Sequence, residues 1–216
     1  MLTIPSAHPP AASDLRQRLE VAYQDHALQS YSAGQMIPLR DQEIFVVSRG
    51  VVILNTIYPT GEEGLLGLAG PGTPFGFPLS RVDPYHALAL SAVDLMVLPM
   101  AEVERSPALG QDLCRGLSHR LQQSEMMLAL MGQRRVEDRL RQFLLLLKED
   151  FSQPVEGGHR LTIRLTHQHL ASALGTTRVT ITRMMGHLRQ EGWLQVDPSR
   201  HVILRHQATP DCAKRT

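Results

Sequence analysis

The stretch Leu165-Thr-His-Gln-His-Leu-Ala-Ser-Ala-Leu-Gly-Thr-Thr-Arg-Val-Thr-Ile-Thr-Arg-Met-Met-Gly-His-Leu188 constrains the fold more tightly than any other part of the 216-residue chain. Counted from His167, apolar Leu170, Leu174, Ile181 and Met184 fall where two short crossing helices must pack, with small Ala171 at their closest approach. Gly175 separates the two runs, at the point where a left-handed turn costs glycine least. The spacing therefore predicts a helix-turn-helix. Thr177, Arg178, Val179, Thr182 and Arg183 share the outward face of its second helix. That face carries two arginines and no acid, the composition a helix needs to enter a DNA major groove. An ordinary helical hairpin could carry a basic face, but it would not require the turn glycine and all the packing positions together.

Charge supports the same reading only when taken locally. The whole chain is nearly neutral, at +1. Between Arg160 and His206, however, seven arginines (160, 164, 178, 183, 189, 200, 205) face only Glu191 and Asp197. Phosphate attraction follows that local density. Cys114 and Cys212 match neither a disulfide framework nor a metal-ligand spacing, so a reducing compartment is expected. With no long apolar run and no charged-then-apolar leader, the expected location is the cytoplasm, with no membrane partner.

Along the chain, residues 1–13 are rich in Pro, Ala and Ser and are expected to lack fixed structure. Asp14 to Leu28 carries Leu15, Leu19 and Ala22 at helical spacing. From 29 to 99 the texture is short apolar runs, Glu43–Val47, Val51–Leu54, Leu65–Leu68, His86–Leu90 and Leu95–Leu98, separated by turn residues. Many short strands ended by turn chemistry predict a β-roll over 14–99. Helix is expected over 100–133, where Cys114, Leu117, Leu121, Ser124, Leu128 and Met131 follow the three–four spacing of a coiled-coil seam. A symmetric homodimer built on that seam suits two-fold DNA half-sites; a monomeric helix laid on its own sheet is the competing reading. A hinge is expected at Gly132–Arg135, then a helix from Val136 to Asp150 burying Val136, Leu140, Phe143, Leu144 and Leu147. A loop at 152–158, a strand Arg160–Leu165, the helix-turn-helix and a hairpin turned by Asp197-Pro-Ser-Arg200 complete a winged helix-turn-helix over 134–206. Residues 207–216 are expected to be a flexible tail. The fold class is α+β.

The order of β-roll, long helix and carboxy-terminal winged helix-turn-helix resembles the CRP/FNR family of transcription regulators, over roughly Tyr31 to Leu204. The residues that carry the likeness are Gly50, Gly61-Glu-Glu-Gly64, Gly72-Thr-Pro-Phe-Gly76 and Leu174-Gly-Thr-Thr-Arg-Val-Thr-Ile-Thr-Arg183. Ser118-His-Arg-Leu-Gln-Gln-Ser-Glu-Met-Met127 is similar to the Ser-x-Arg-x-x-Gln-x-Glu-Met-Met run of the nitrogen-control (NtcA-type) branch. The resemblance implies a cyclic-nucleotide-binding-like roll (a double-stranded β-helix), double-stranded DNA and RNA polymerase as partners, and GTA half-sites with inverted TAC partners. Arg178 and Arg183 would contact guanine through O6 and N7, and Val179 a thymine methyl. Thr166, His167, Thr176, Thr177, Thr180 and Arg200 would contact phosphates.

The family's effectors each need their own chemistry. A cAMP site uses a glutamate soon after Phe-Gly and an Arg-Ser pair; this chain has Phe77-Pro78 and Asp83-Pro84, and an aspartate repels a phosphodiester. An oxygen-sensing iron–sulfur cluster needs four cysteines and only two are present. Haem would rest on His86 alone, a residue type more often hydrogen-bonded within a strand. For 2-oxoglutarate, the branch resemblance implies a pocket of Phe75, Gly76, Phe77, Arg120 and Glu125, with Arg81 as the one substitute for a further arginine that is missing. The alternatives are a regulator with no small-molecule effector, controlled by a protein partner or by abundance, and a small β-roll enzyme or metal-binding protein. Against the last, His167 and His169 are two apart on a helix and cannot share an ion, and no catalytic arrangement is recognisable.

Overall fold

The computed structural model describes residues 28–205. The helix expected over Asp14–Leu28 and both chain ends fall almost wholly outside them. The strands are β1 (Gln29–Tyr31), β2 (Glu43–Arg49), β3 (Val52–Ile57), β4 (Glu63–Ala69), β5 (Pro74–Phe75), β6 (His86–Ala89) and β7 (Val93–Pro99). They are followed by α1 (Met100–Arg105), α2 (Pro107–Met131), α3 (Val136–Phe151), β8 (Ser152–Val155) and β9 (Gly158–Leu161). The chain closes with α4 (His167–Leu174), α5 (Arg178–Gln190), β10 (Leu194–Val196) and β11 (Val202–Arg205). The class is α+β, as the sequence predicts. Among the described residues no helix is long and apolar enough to cross a membrane.

The amino-terminal strands form two sheets, in the orders β1-β7-β2-β5 and β4-β3-β6. The chain passes back and forth between them, which is how a roll is wound. Within the first sheet, β7 is antiparallel to both β1 and β2, with Phe45 opposite Val97 and Tyr31 opposite Val93. Because strand side chains alternate, β2 sends Ile44 and Val46 to one face and Phe45 and Val47 to the other. All four are buried, so the run reads as continuously apolar. Ile44 and Val46 pack with Met96, Leu98, Leu109 and Leu113, seating α1 and the start of α2 on that face. On the other face the rings of Phe45 and Phe75 stack at 5.5 Å. Gly50, in the β2–β3 turn, has φ +87°, and a Cβ there would lie 2.2 Å from the Ala92 carbonyl. No other residue fits that turn without moving it.

Contacts divide the chain into two compact units. The first runs to Val52 and takes in Leu68–Val82 and His86–Arg120; the second takes in Ile53–Gly67, Asp83–Tyr85 and the chain from Leu121. In the second unit α3 buries Leu140, Phe143, Leu144, Leu146, Leu147 and Phe151, while α4 packs on both α3 and α5. A four-stranded antiparallel sheet in the order β10-β11-β9-β8 completes that unit.

Several expectations are corrected here. The segment 152–158, expected as a loop, forms β8 and the turn of a hairpin, and the strand expected over Arg160–Leu165 ends at Leu161. The helix expected unbroken from residue 100 is interrupted at Ser106, because the ring of Pro107 disfavours helical backbone at the residue before it. Val136 is half-buried rather than core. In α5 the fully buried methionine is Met185, at 5% exposure, and Met184 sits on its flank.

Candidate nucleic-acid interface

Two caps and a glycine build the helix-turn-helix. Thr166 caps α4: its Oγ1 accepts from the His169 amide at 3.1 Å, and its own amide donates to His169 Nδ1 at 3.4 Å. That reciprocal box needs an unprotonated Nδ1. Burial of His169 supplies one by pushing its pKa down, against a weaker upward pull from Glu63. Gly175 ends α4 in the left-handed region (φ 58°, ψ 50°). Thr177 then caps α5, accepting from the Thr180 amide at 3.2 Å, and the Thr177 and Thr180 hydroxyls lie 3.0 Å apart.

One side-chain bridge ties the two helices across the turn. The Thr182 hydroxyl donates its single proton to the Arg178 carbonyl at 2.9 Å, so His167 Nδ1, 2.9 Å away, must be the donor to Thr182 Oγ1. His167 thus carries its proton on Nδ1, leaving Nε2 free of this bridge. Beneath it, α5 buries Ile181, Met185 and Leu188, each contributing about 1.5–3 kcal/mol. The opposite face presents Arg178, Thr182 and Arg183 to solvent, and Val179 at 78% exposure. A large apolar side chain left that exposed between two arginines is what a thymine methyl would complement.

The wing is held rigidly at its base. The Asp197 carboxylate accepts from Arg160 Nε at 2.7 Å and from the His201 amide at 2.8 Å, and Arg160 Nη2 lies 2.6 Å from His201 Nδ1. At the tip Arg200 is exposed and has φ 64°, a region that non-glycine residues seldom enter. The Arg160 guanidinium beside Asp197, followed by the His201 amide, holds the Asp197 carboxyl below its usual value of 3.8. A depressed carboxyl stabilises the fold above its unfolded pKa, and that contribution is lost as pH falls through the lower folded value. Asp197→Asn is therefore expected to lower Tm at pH 7, with the gap to the parent closing as melts are repeated from pH 5 down to pH 3. A gap that stays constant over that range would refute the ion-pair account.

The expected seam lies on the open side of α2. Leu117, Leu121, Leu128 and Met131 are 37%, 60%, 75% and 38% exposed, Cys114 is exposed and Ser124 is half-buried. The inward side was not anticipated: a Cβ on Gly116 would lie 2.5 Å from Pro74 Cδ and 2.7 Å from the Gly72 carbonyl. Helix and loop come that close only through glycine.

The residues named for an effector are only partly brought together. Arg120 Nη1 donates to the Pro74 carbonyl at 3.3 Å, which places it beside the Phe75–Gly76 backbone. The Phe75 side chain is fully buried against Phe45 and is a core residue, so it offers a pocket backbone alone. Phe77 and Arg81 are exposed, as is Glu125.

Comparisons with known proteins agree with this geometry. The Crp-like helix-turn-helix domain family matches residues 138–208. The chain is 36% identical over 172 residues to a global nitrogen regulator of Synechocystis, covering 75% of this chain and 76% of that one. It is 34% identical over 177 residues to the regulatory protein CysR of Synechococcus elongatus, covering 81% and 82%. Among solved structures, a CRP/FNR-family transcriptional regulator from Thermus thermophilus superposes with TM-score 0.68 at 28% identity, over 82% of this chain and 93% of that one. These relatives are regulators, the Thermus protein a transcriptional one, and not enzymes. A roll, a long helix and a capped, winged helix-turn-helix with a basic outer face, shared with relatives at this identity and coverage, place this DNA-binding regulator in the CRP/FNR family of transcription regulators.

Proposed function

We propose that the protein acts as a homodimer on a palindrome of GTA and inverted TAC half-sites, with α5 of each protomer in a major groove about one helical turn from the other. The observation that carries this is the outer face of α5, where Arg178, Val179 and Arg183 stand exposed around a buried Ile181-Met185-Leu188 stripe. Arg178 and Arg183 read guanine, and Val179 packs on a thymine methyl. Thr166, His167, Thr176, Thr177, Thr180 and Arg200 hold phosphates, which set register without specifying sequence. The dimer forms through Cys114, Leu117, Leu121, Ser124, Leu128 and Met131. It works in the cytoplasm with RNA polymerase as its partner. Selection from random duplexes tests the reading: enrichment of GTA/TAC palindromes is expected, and an enriched site lacking two-fold symmetry would refute it.

Effector control is the second part of the proposal. The position of Arg120 beside the Pro74–Gly76 backbone suits an anion such as 2-oxoglutarate, and Asp83-Pro84 in place of an Arg-Ser pair in the sequence disfavours cAMP. The burial of Phe75 and the exposure of Arg81 favour instead a regulator governed by a protein partner or by abundance. Titrating DNA binding with 2-oxoglutarate and with cAMP separates them. Tightening by 2-oxoglutarate alone supports the dianion site, and an affinity indifferent to both supports the ligand-free regulator.

A further inference from the structure

Away from the outer face of α5, the carboxy-terminal end of that helix is fastened to the start of α3 by a charged cluster that belongs neither to the buried core nor to the reading face. Arg141, on the second turn of α3, donates from Nη2 to Glu137 Oε1 at 2.8 Å and to Glu191 Oε2, and its guanidinium lies 5.2 Å from the Trp193 ring centroid. His187, in the last turn of α5, fills the space between the same two carboxylates. Its Nδ1 is 3.3 Å from Glu137 Oε2 and its Nε2 is 3.6 Å from Glu191 Oε1. Each carboxylate thus gives one oxygen to the guanidinium and the other to the imidazole. The guanidinium holds the Glu137 carboxyl below its usual range, with a smaller pull from His187.

We propose that Arg141 is a positioning residue for DNA recognition: it locks the tilt of α5 so that the reading residues at the other end of that helix meet the base edges. The buried stripe of α5 cannot do this alone, because apolar contact is non-directional and tolerates rolling. A guanidinium bound to two carboxylates from two elements is directional. From His187 back to Arg178 is roughly 14 Å at 1.5 Å per residue, so a 10° tilt at the clamp moves the Arg178 end by about 2.5 Å. A bidentate contact does not survive that displacement. The same residues could be read as a cation site, since one ligand atom each from Glu137, His187 and Glu191 lies within 4.8 Å of the others. The guanidinium argues against it, because it already supplies the positive charge both carboxylates need. The clamp also begins directly after the break between α2 and α3.

The proposal rests on α5 being the reading helix, and the test separates the two. Full-length Arg141→Ala, Arg141→Lys and Glu191→Gln are compared with the parent on the selected palindrome and on a non-specific duplex of equal length, with folding checked by circular dichroism. Arg141→Ala is expected to weaken specific binding about 10-fold while non-specific binding stays within twofold. Arg141→Lys is expected not to restore the ratio, since a flexible ammonium lacks the planar fork that fixes the two carboxylates while lying over Trp193. Should Arg141→Ala fail to fold, Glu191→Gln, at an exposed position, reads the same ratio with a smaller loss. Trp193 is the single tryptophan of the chain, so its emission reports the clamp directly and is expected to change in both Arg141 variants. An unchanged ratio in folded Arg141→Ala overturns the proposal, as does a parallel fall on both duplexes, which would make Arg141 a phosphate contact. Tighter specific binding of the parent in micromolar zinc would overturn it too, as a cation site. Arg178→Ala run alongside is the control: if it leaves sequence preference intact while Arg141→Ala does not, the base assignment fails and the clamp stands.

Discussion

Replacing Arg178 with alanine is expected to leave a folded dimer that binds its palindrome about 1–3 kcal/mol more weakly for each half-site and no longer discriminates one base pair in each. The side chain is exposed at the first position of α5, beyond the Thr177 cap, and the buried stripe of that helix does not include it. Its removal therefore leaves the core untouched, and the loss is read directly in binding. Arg178→Lys separates the two roles an arginine can play here. It keeps the charge, so a phosphate contact would be largely preserved, but it loses the planar fork that matches guanine O6 and N7. The expected result is near-parental affinity for non-specific DNA together with a relaxed preference at one base. A uniform loss of affinity in Arg178→Ala with sequence preference unchanged, made good by lysine, would mean that Arg178 only touches phosphate, and the base code would have to move to Arg183 or Val179.

The helix-turn-helix was legible because everything that defines it is local. The turn glycine, the two threonine caps and the apolar spacing lie within one short segment, and the periods of helix and turn are set by backbone sterics. The one error inside it is instructive. Counted from Ile181, Met184 and Met185 sit on either side of the line leading to Leu188, and neighbouring elements decide which is buried; that information is not in the spacing. The short strands β1, β5 and β8 went unread for the same reason. Gln29–Tyr31, Pro74–Phe75 and Ser152–Val155 show no alternation of their own, and they are strands because β7, β2 and β9 pair with them. Pro107 was a readable stop signal that helical periodicity masked. The Arg141 cluster was half visible, since Glu137–Arg141 and His187–Glu191 are each four apart on a helix. That these two pairs meet, fifty residues apart in sequence, only the fold reveals, through α4, which packs on both helices. The effector region was least legible, because a pocket depends on which side chains turn inward, and Phe75 turned into the core.

Leu128→Glu is expected to be the more disruptive change for function, although it is nearly silent within one chain. Leu128 is 75% exposed on α2, so a charge there leaves the core of the single chain intact, and circular dichroism should show parental helix content and cooperative unfolding. In a two-fold seam each Leu128 meets its own copy, so the substitution removes two leucines from one contact and sets two carboxylates face to face. At about 1.5–3 kcal/mol for each buried leucine, the dimer loses about 3–6 kcal/mol before repulsion is added, or roughly 10²–10⁴ in its association constant. Sedimentation equilibrium should then find monomer at concentrations where the parent is dimeric. Affinity for the palindrome should drop by about 10²-fold or more, as each half-site is bound without the other, while Gln122→Glu, exposed on the same helix but off the seam, should change neither. Leu121→Glu, at 60% exposure, should repeat the result one heptad earlier. If Leu128→Glu remains dimeric, α2 is a helix laid on its own sheet, and the two-fold symmetry needed to place two reading helices on DNA must come from another surface.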